Sequence, residues 1–115
     1  MNIVNLIEKY WEDMHVAVTT QNPGKILQNF APNATYKFRP AAGMMDVVLE
    51  EMATSCLGYK DTLVGKYNIE RIDELADGSW ISVITADVGK PFFTTSFFKF
   101  KNDKIVELIE YYGDF

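Results

Sequence analysis

Glu110 stands between Ile109 and Tyr111 in an apolar run. A carboxyl drawn into apolar surroundings has its charged form disfavoured, so its pKa climbs toward neutrality. It then becomes usable as a general acid or base. Tyr112, two residues on, shares its face of a strand and is placed to donate a hydrogen bond to a substrate oxygen or to the carboxylate. Asp114 continues that alternation, whereas Glu107 falls on the opposite face unless a bulge intervenes. The plainer role for Glu110 is a strand carboxylate that faces solvent or pairs with Arg39 or Arg71, and the sequence leaves both roles open.

His15 is the one histidine of the chain. It follows Met14 on a helical pattern, one turn from Trp11 and Val18, and is a second candidate acid or base, or else a surface or interface residue. Arg39 closes an alternating segment and is able to clamp a carboxylate or phosphate, or to sit in a surface or interface salt bridge. Trp11, Tyr36, Phe38, Trp80, Phe92, Thr94, Ser96 and Phe98 are candidate walls of an apolar pocket, or ordinary core. The face carrying Phe92, Thr94, Ser96 and Phe98 is read as interior, and a slip by one residue would exchange it for Phe93, Thr95 and Phe97. Met44, Met45 and Met52 add adaptable apolar surface near such a mouth, or simply fill core.

Other chemistries find little support. One histidine and one cysteine, with no close ligand cluster, fall short of a metal site. Gly43, Gly58 and Gly65 lack the spacing of a phosphate loop. Cys56 lies in an apolar stripe without a sequence-adjacent histidine, and no serine sits in an elbow motif, so covalent catalysis is not indicated. No cofactor is implied.

At 115 residues the chain fits one domain, residues 1–115. A single cysteine excludes an intrachain disulfide and suits a reducing compartment, so a cytoplasmic location is expected. A net charge of −5 argues against a nucleic-acid backbone binder or a polybasic membrane anchor. Glu8, Glu12 and Asp13 interrupt the first apolar stretch, so neither a secretory signal nor a membrane span is expected.

Periodicity predicts the helices and strands that carry these residues. Ile3, Ile7, Tyr10, Met14 and Ala17 recur at three- and four-residue steps and predict a helix over about 3–20, with Asn2 as its cap. Asn22 and Pro23 restart a short helix over about 23–30, stopped by Pro32. Residues 34–39 alternate as a strand, with Tyr36 and Phe38 on one face. Met45, Val48, Leu49, Met52 and Cys56 fit one stripe of a third helix ending at Gly58. Four strands follow, over about 63–75, 79–87, 92–101 and 105–112, with Asn102 and Asp103 as a tight turn. Helices grouped ahead of a strand run indicate an α+β domain with helices on one face of the sheet. The strands are apolar on both faces, so the open face needs a cover, and a second copy of the chain is the simplest one.

Several stretches together resemble nuclear transport factor 2-like domains, more closely the SnoaL-like branch. They are Tyr10-Trp11, Asn22-Pro23-Gly24, the passage Leu27-Gln28-Asn29-Phe30-Ala31-Pro32-Asn33-Ala34, and a closing hairpin from Ser96 to Asp114. The resemblance implies a cone-shaped, curved, mixed or antiparallel sheet wrapped around three helices, the nuclear transport factor 2-like or cystatin-like roll. It implies a conical pocket between helices and sheet, and the 14% aromatic content is compatible with lining one. That fold hosts isomerases, cyclases, dehydratases, epoxide hydrolases and non-catalytic binding modules, so function must come from the site. Ketosteroid-isomerase relatives carry their base where this chain reads Tyr36-Lys37-Phe38-Arg39-Pro40, without a carboxylate. Three readings follow: a homodimer binding a small, partly hydrophobic molecule; a cofactor-free isomerase, dehydratase or cyclase working through Glu110 with Tyr112 or His15; and an interaction module whose aromatics serve assembly.

Overall fold

The computed structural model describes residues 2–39, 45–56, 67–86 and 92–114. Helix α1, Ile3–Thr20, is started by the Asn2 side chain, which accepts from the Asn5 amide at 3.2 Å. It stops where Gln21 turns left-handed at φ 58°. Its apolar stripe buries Ile7, Tyr10, Trp11, Met14, Ala17 and Val18, the face that the three- and four-residue spacing marks.

Helix α2 is shorter than its sequence pattern predicts, covering Gly24–Leu27. Strand β1, Phe30–Arg39, begins where a helical residue was expected, because Phe30 pairs in parallel with Ile105. Pro32 is therefore inside a strand instead of ending a helix. It lies in the register irregularity between Phe30 and Thr35, where a missing N–H does least harm to the ladder. A short strand β2, Met45–Val47, pairs antiparallel with β1, and only then does helix α3, Leu49–Cys56, begin. The pattern that suggested one helix from Met45 thus divides, since a short apolar run fits either period.

Strands β3, Tyr67–Glu74, and β4, Trp80–Ala86, form a hairpin. Its turn places Gly78 at φ +86°, and the Asp77 carboxylate accepts from both the Ser79 amide and hydroxyl. Strands β5, Phe92–Lys101, and β6, Lys104–Asp114, are joined by Asn102 and Asp103, both left-handed, as a two-residue hairpin turn requires. The expected start of β3 at Leu63 and the helix stop at Gly58 lie outside the described residues, as do Gly43, Met44 and Gly65 and the side chains of Met45 and Cys56.

The six strands form one curved, unclosed sheet in the order β2-β1-β6-β5-β4-β3. Among the described strands only the β1–β6 pair is parallel. Register shifts between Ile69 and Arg71 and between Lys99 and Phe100 bend the strands in the way bulges do. The architecture is the α+β roll expected, with the helices on one face.

Tyr10 sits in the middle of the core, edge-on to Trp11, Phe30 and Phe98 at ring separations of 5.0, 6.0 and 5.5 Å. On the helix-facing side of β5, Thr94, Ser96 and Phe98 are buried, while Phe93, Thr95 and Phe97 are only half-buried. The opposite face carries Ile81, Val83, Phe97, Ile109 and Tyr111, all half-buried.

Candidate functional site

Pairing across the sheet sets the site. Phe38, Glu110, Ser96, Ser82 and Ile72 are successive cross-strand partners on β1, β6, β5, β4 and β3. Side chains in such a row share one face, and this row runs under α1. The neighbouring row is apolar in its middle, Tyr36–Leu108–Phe98–Trp80. Glu110 is thus a carboxyl set into the inner face of the sheet at 5% exposure. It does not face solvent, and Arg71 bonds instead to Asp73 on its own strand.

Three hydroxyls hold the carboxyl. Tyr36 donates to Oε1 at 2.8 Å, Tyr10 reaches the same oxygen at 3.4 Å, and Ser96 donates to Oε2 at 2.6 Å. They come from β1, α1 and β5, so three separate elements converge on one group. Burial pushes the Glu110 carboxyl above its usual range, against the hydrogen bonds from Ser96, Tyr36 and Tyr10, which favour the ion. All three are neutral donors, which stabilise a buried carboxylate less than a cation does. The next member of the row, Ser82, accepts from the Trp11 indole at 3.1 Å. Ser82 and Ser96 are both fully buried.

Sequence reasoning singled out Glu110, Tyr36, Trp11 and Ser96, and the structure brings these together. Phe38 and Phe98 flank them, one half-buried beside Glu110 in the pairing, the other fully buried. Trp80 is half-buried opposite Phe98. Tyr112 pairs with Thr94 and Arg39 with Tyr111, but their side chains lie outside the described residues, as do those of Phe92 and Asp114. His15 is placed elsewhere: its ring lies 6.0 Å from that of Tyr67 on the edge strand β3, and it is not among the groups holding Glu110. Tyr67 in turn reaches Glu12 at 3.4 Å, and burial together with Glu12 and Glu8 pushes its hydroxyl up to about 12. Glu107 points to the other face, where it pairs with Lys99 at 3.3 Å.

Tyr10 and Ser82 are site residues that the sequence pattern did not single out. Tyr10 reads there as one more apolar stripe residue, and Ser82 as one more strand alternation. The signal available for Ser82 was its place opposite Ser96, which requires the pairing register.

A second polar cluster lies further along α1. Asp13 Oδ2 accepts from Lys9 Nζ at 2.6 Å, Gln28 Nε2 at 2.9 Å and Asn29 Nδ2 at 3.0 Å. Burial raises the Asp13 pKa, but these hydrogen bonds and the Lys9 charge outweigh it and hold the carboxyl below its usual value.

Open clefts lie on both sides of the sheet. One, of about 470 Å³, lies between β1 and the start of α3, lined by Ala34, Tyr36, Val48 and Leu49 among others. The other, of about 350 Å³, is on the outer sheet face beside Phe97, Lys99, Glu107, Ile109 and Tyr111. Tyr36 belongs both to the first cleft and to the Glu110 cluster. Among the described residues no three His, Cys, Asp or Glu side chains converge on a common point, and no helix is long and apolar enough to cross a membrane.

No family model matches the chain, and no curated protein matches it either. Solved structures do. An NTF-2 like protein of unknown function from Burkholderia xenovorans LB400 superposes with a TM-score of 0.69 at 18% identity, over 97% of this chain and 83% of that one. A protein of unknown function with a cystatin-like fold from Methylobium petroleophilum PM1 gives 0.69 at 17% identity, over 96% and 74%. A proposed isomerase from Bacillus subtilis gives 0.72 at 13% identity, over 98% and 90%. The chain therefore has the nuclear transport factor 2-like, cystatin-like fold. At these identities the likeness establishes the fold alone.

Proposed function

We propose that this chain binds a small, partly hydrophobic molecule between its helices and the inner face of its sheet, with Glu110 as the polar anchor. The observation that carries the reading is a carboxyl at 5% exposure held by three hydroxyls from three elements, on a face that is otherwise mainly aromatic and aliphatic. A buried acid costs stability, which makes it a candidate functional group. Trp11, Tyr36, Phe38, Trp80, Ser96 and Phe98 are the proposed lining, with Arg39 at the end of β1.

A second reading makes the same group a catalyst. With its pKa raised by burial and neutral donors around it, Glu110 is the candidate proton carrier that an isomerase, dehydratase or cyclase without cofactor requires. Tyr36 and Ser96 are the partners within reach, with Tyr112 two residues further along β6. The Bacillus subtilis neighbour, named for isomerase activity, supports this reading by fold alone.

The protein is further proposed to be a cytoplasmic homodimer through the outer sheet face. The cross-strand row Asp73, Ile81, Phe97, Ile109, Lys37, Asp46 runs across the whole sheet there, with three apolar residues in succession. A second copy related by a twofold axis would cover that apolar stretch.

The test of binding is a thermal-shift and tryptophan-fluorescence screen of small amphiphilic metabolites against the wild type and Glu110→Gln. Binding is expected to raise the melting temperature and to change Trp11 emission, with both responses weakened in the variant. A broad panel that moves neither signal overturns the reading.

A further inference from the structure

The Asp13 cluster lies outside the proposed pocket, yet it is joined to Glu110 at both ends. On one side Asp13 belongs to α1, three residues beyond Tyr10, less than one helical turn. On the other side its partners lead to β6: the Asn29 carbonyl accepts from the Ile105 amide at 2.9 Å, and Lys104 Nζ donates to the Gln28 carbonyl at 2.6 Å. Ile105 is five residues before Glu110 on the same strand. The cluster therefore pins α1 against the start of the strand that carries the acid.

We propose that Asp13 is a positioning residue: its clasp on Gln28 and Asn29 seats α1 so that the Tyr10 hydroxyl reaches Glu110. The geometry makes that reach sensitive. Tyr36 and Ser96 approach the carboxyl at 2.8 and 2.6 Å from within the sheet, but Tyr10 approaches from the helix at 3.4 Å. A contact of that length lies at the outer edge of hydrogen bonding, and a few tenths of an ångström removes it. Asp13 is suited to hold the distance, since one buried oxygen collects three donors from two segments. Lys9 also donates to Asn29 Oδ1 at 3.2 Å, closing a triangle that fixes the Asn29 side chain. The clasp thus sets whether Glu110 has two hydroxyl donors or three.

Among the described residues, the groups that face Glu110 are Tyr10 from α1, Tyr36 from β1 and Ser96 from β5. Those that face Asp13 are Lys9, Gln28 and Asn29. The proposal rests on the reading of Glu110 as the working polar group only for its functional consequence, because the coupling itself is measured without a ligand.

The experiment follows the Glu110 carboxyl by carbon-13 NMR through a pH titration in wild type, Asp13→Asn, Tyr10→Phe and the double variant. Loss of one neutral hydrogen-bond donor to the ion raises the midpoint by about 0.5–1 pH unit. Asp13→Asn and Tyr10→Phe are each expected to show that rise, and the double variant no more than either alone. Gln28→Ala, altered only at an exposed side chain, is expected to give a smaller rise of the same sign should Asp13→Asn fail to fold. An Asp13→Asn or Gln28→Ala chain that melts lower but keeps the wild-type midpoint overturns the proposal, as does an additive double variant. A wild-type midpoint in the ordinary carboxylate range refutes the acid–base reading instead, whatever the variants do.

Discussion

Glu110→Gln keeps the size and shape of the buried group and removes only its charge. The amide oxygen is able to accept from Tyr36 and Tyr10, and the amide nitrogen is able to donate to the Ser96 oxygen. The folded-state pKa of Glu110 lies above its ordinary value of 4.5. Between those two values the folded chain holds a proton that the unfolded chain has released, so stability falls as pH rises through that window. One proton of difference corresponds to a slope of about 1.4 kcal/mol per pH unit. The variant carries no such contribution. Urea unfolding, followed by the emission of the buried Trp11, measures both proteins from pH 4 upward. The wild type is expected to lose stability relative to Glu110→Gln from about pH 4.5, and to fall below it once the acid is fully ionised. Asp13 acts in the opposite sense: its folded pKa is depressed, so its contribution is present above 3.8 and lost as pH falls through the folded value. It does so in both proteins, and the difference between them isolates Glu110. Parallel stability curves across the whole range would refute the claim that ionisation of the buried Glu110 carboxyl costs stability.

Two further outcomes test the core and the outer face. Phe98→Ala removes a fully buried ring packed on Tyr10 and Phe100, and a loss of about 3–5 kcal/mol is expected in urea unfolding; a loss below about 1 kcal/mol would contradict the packing around Tyr10. Ile109→Lys puts a charge in the middle of the outer apolar row. Light scattering is expected to show twice the 13.1 kDa chain mass for the wild type and a single chain for the variant. A monomeric wild type at micromolar concentration would remove the dimer.

Much of the architecture was legible because it depends on local periodicity. The stripe Ile7, Tyr10, Met14, Ala17 marks α1 and its buried face, and the alternation Thr94, Ser96, Phe98 marks the inner face of β5. Asn102 and Asp103 mark the last hairpin, since few residues accept two successive left-handed positions. The places where reading fell short are those where long-range pairing outweighed local preference. Phe30 and Pro32 look like the end of a helix, but pairing of Phe30 with Ile105, far along the chain, draws them into a strand. Met45 to Val47 fits a helical stripe, but β1 offers an open edge and takes it as a strand.

Local pattern alone sets a carboxylate among large apolar side chains on the last strand and puts an aromatic helix ahead of the sheet. The packing of helix on sheet turns Glu110 inward, gathers Tyr10, Tyr36 and Ser96 on it, and leaves His15 beside Tyr67. Alternation specifies which residues share a face, because it follows from the backbone of one strand. Which hydroxyl meets which oxygen depends on the register between strands and the seat of a helix, and those are set by contacts between residues up to a hundred positions apart.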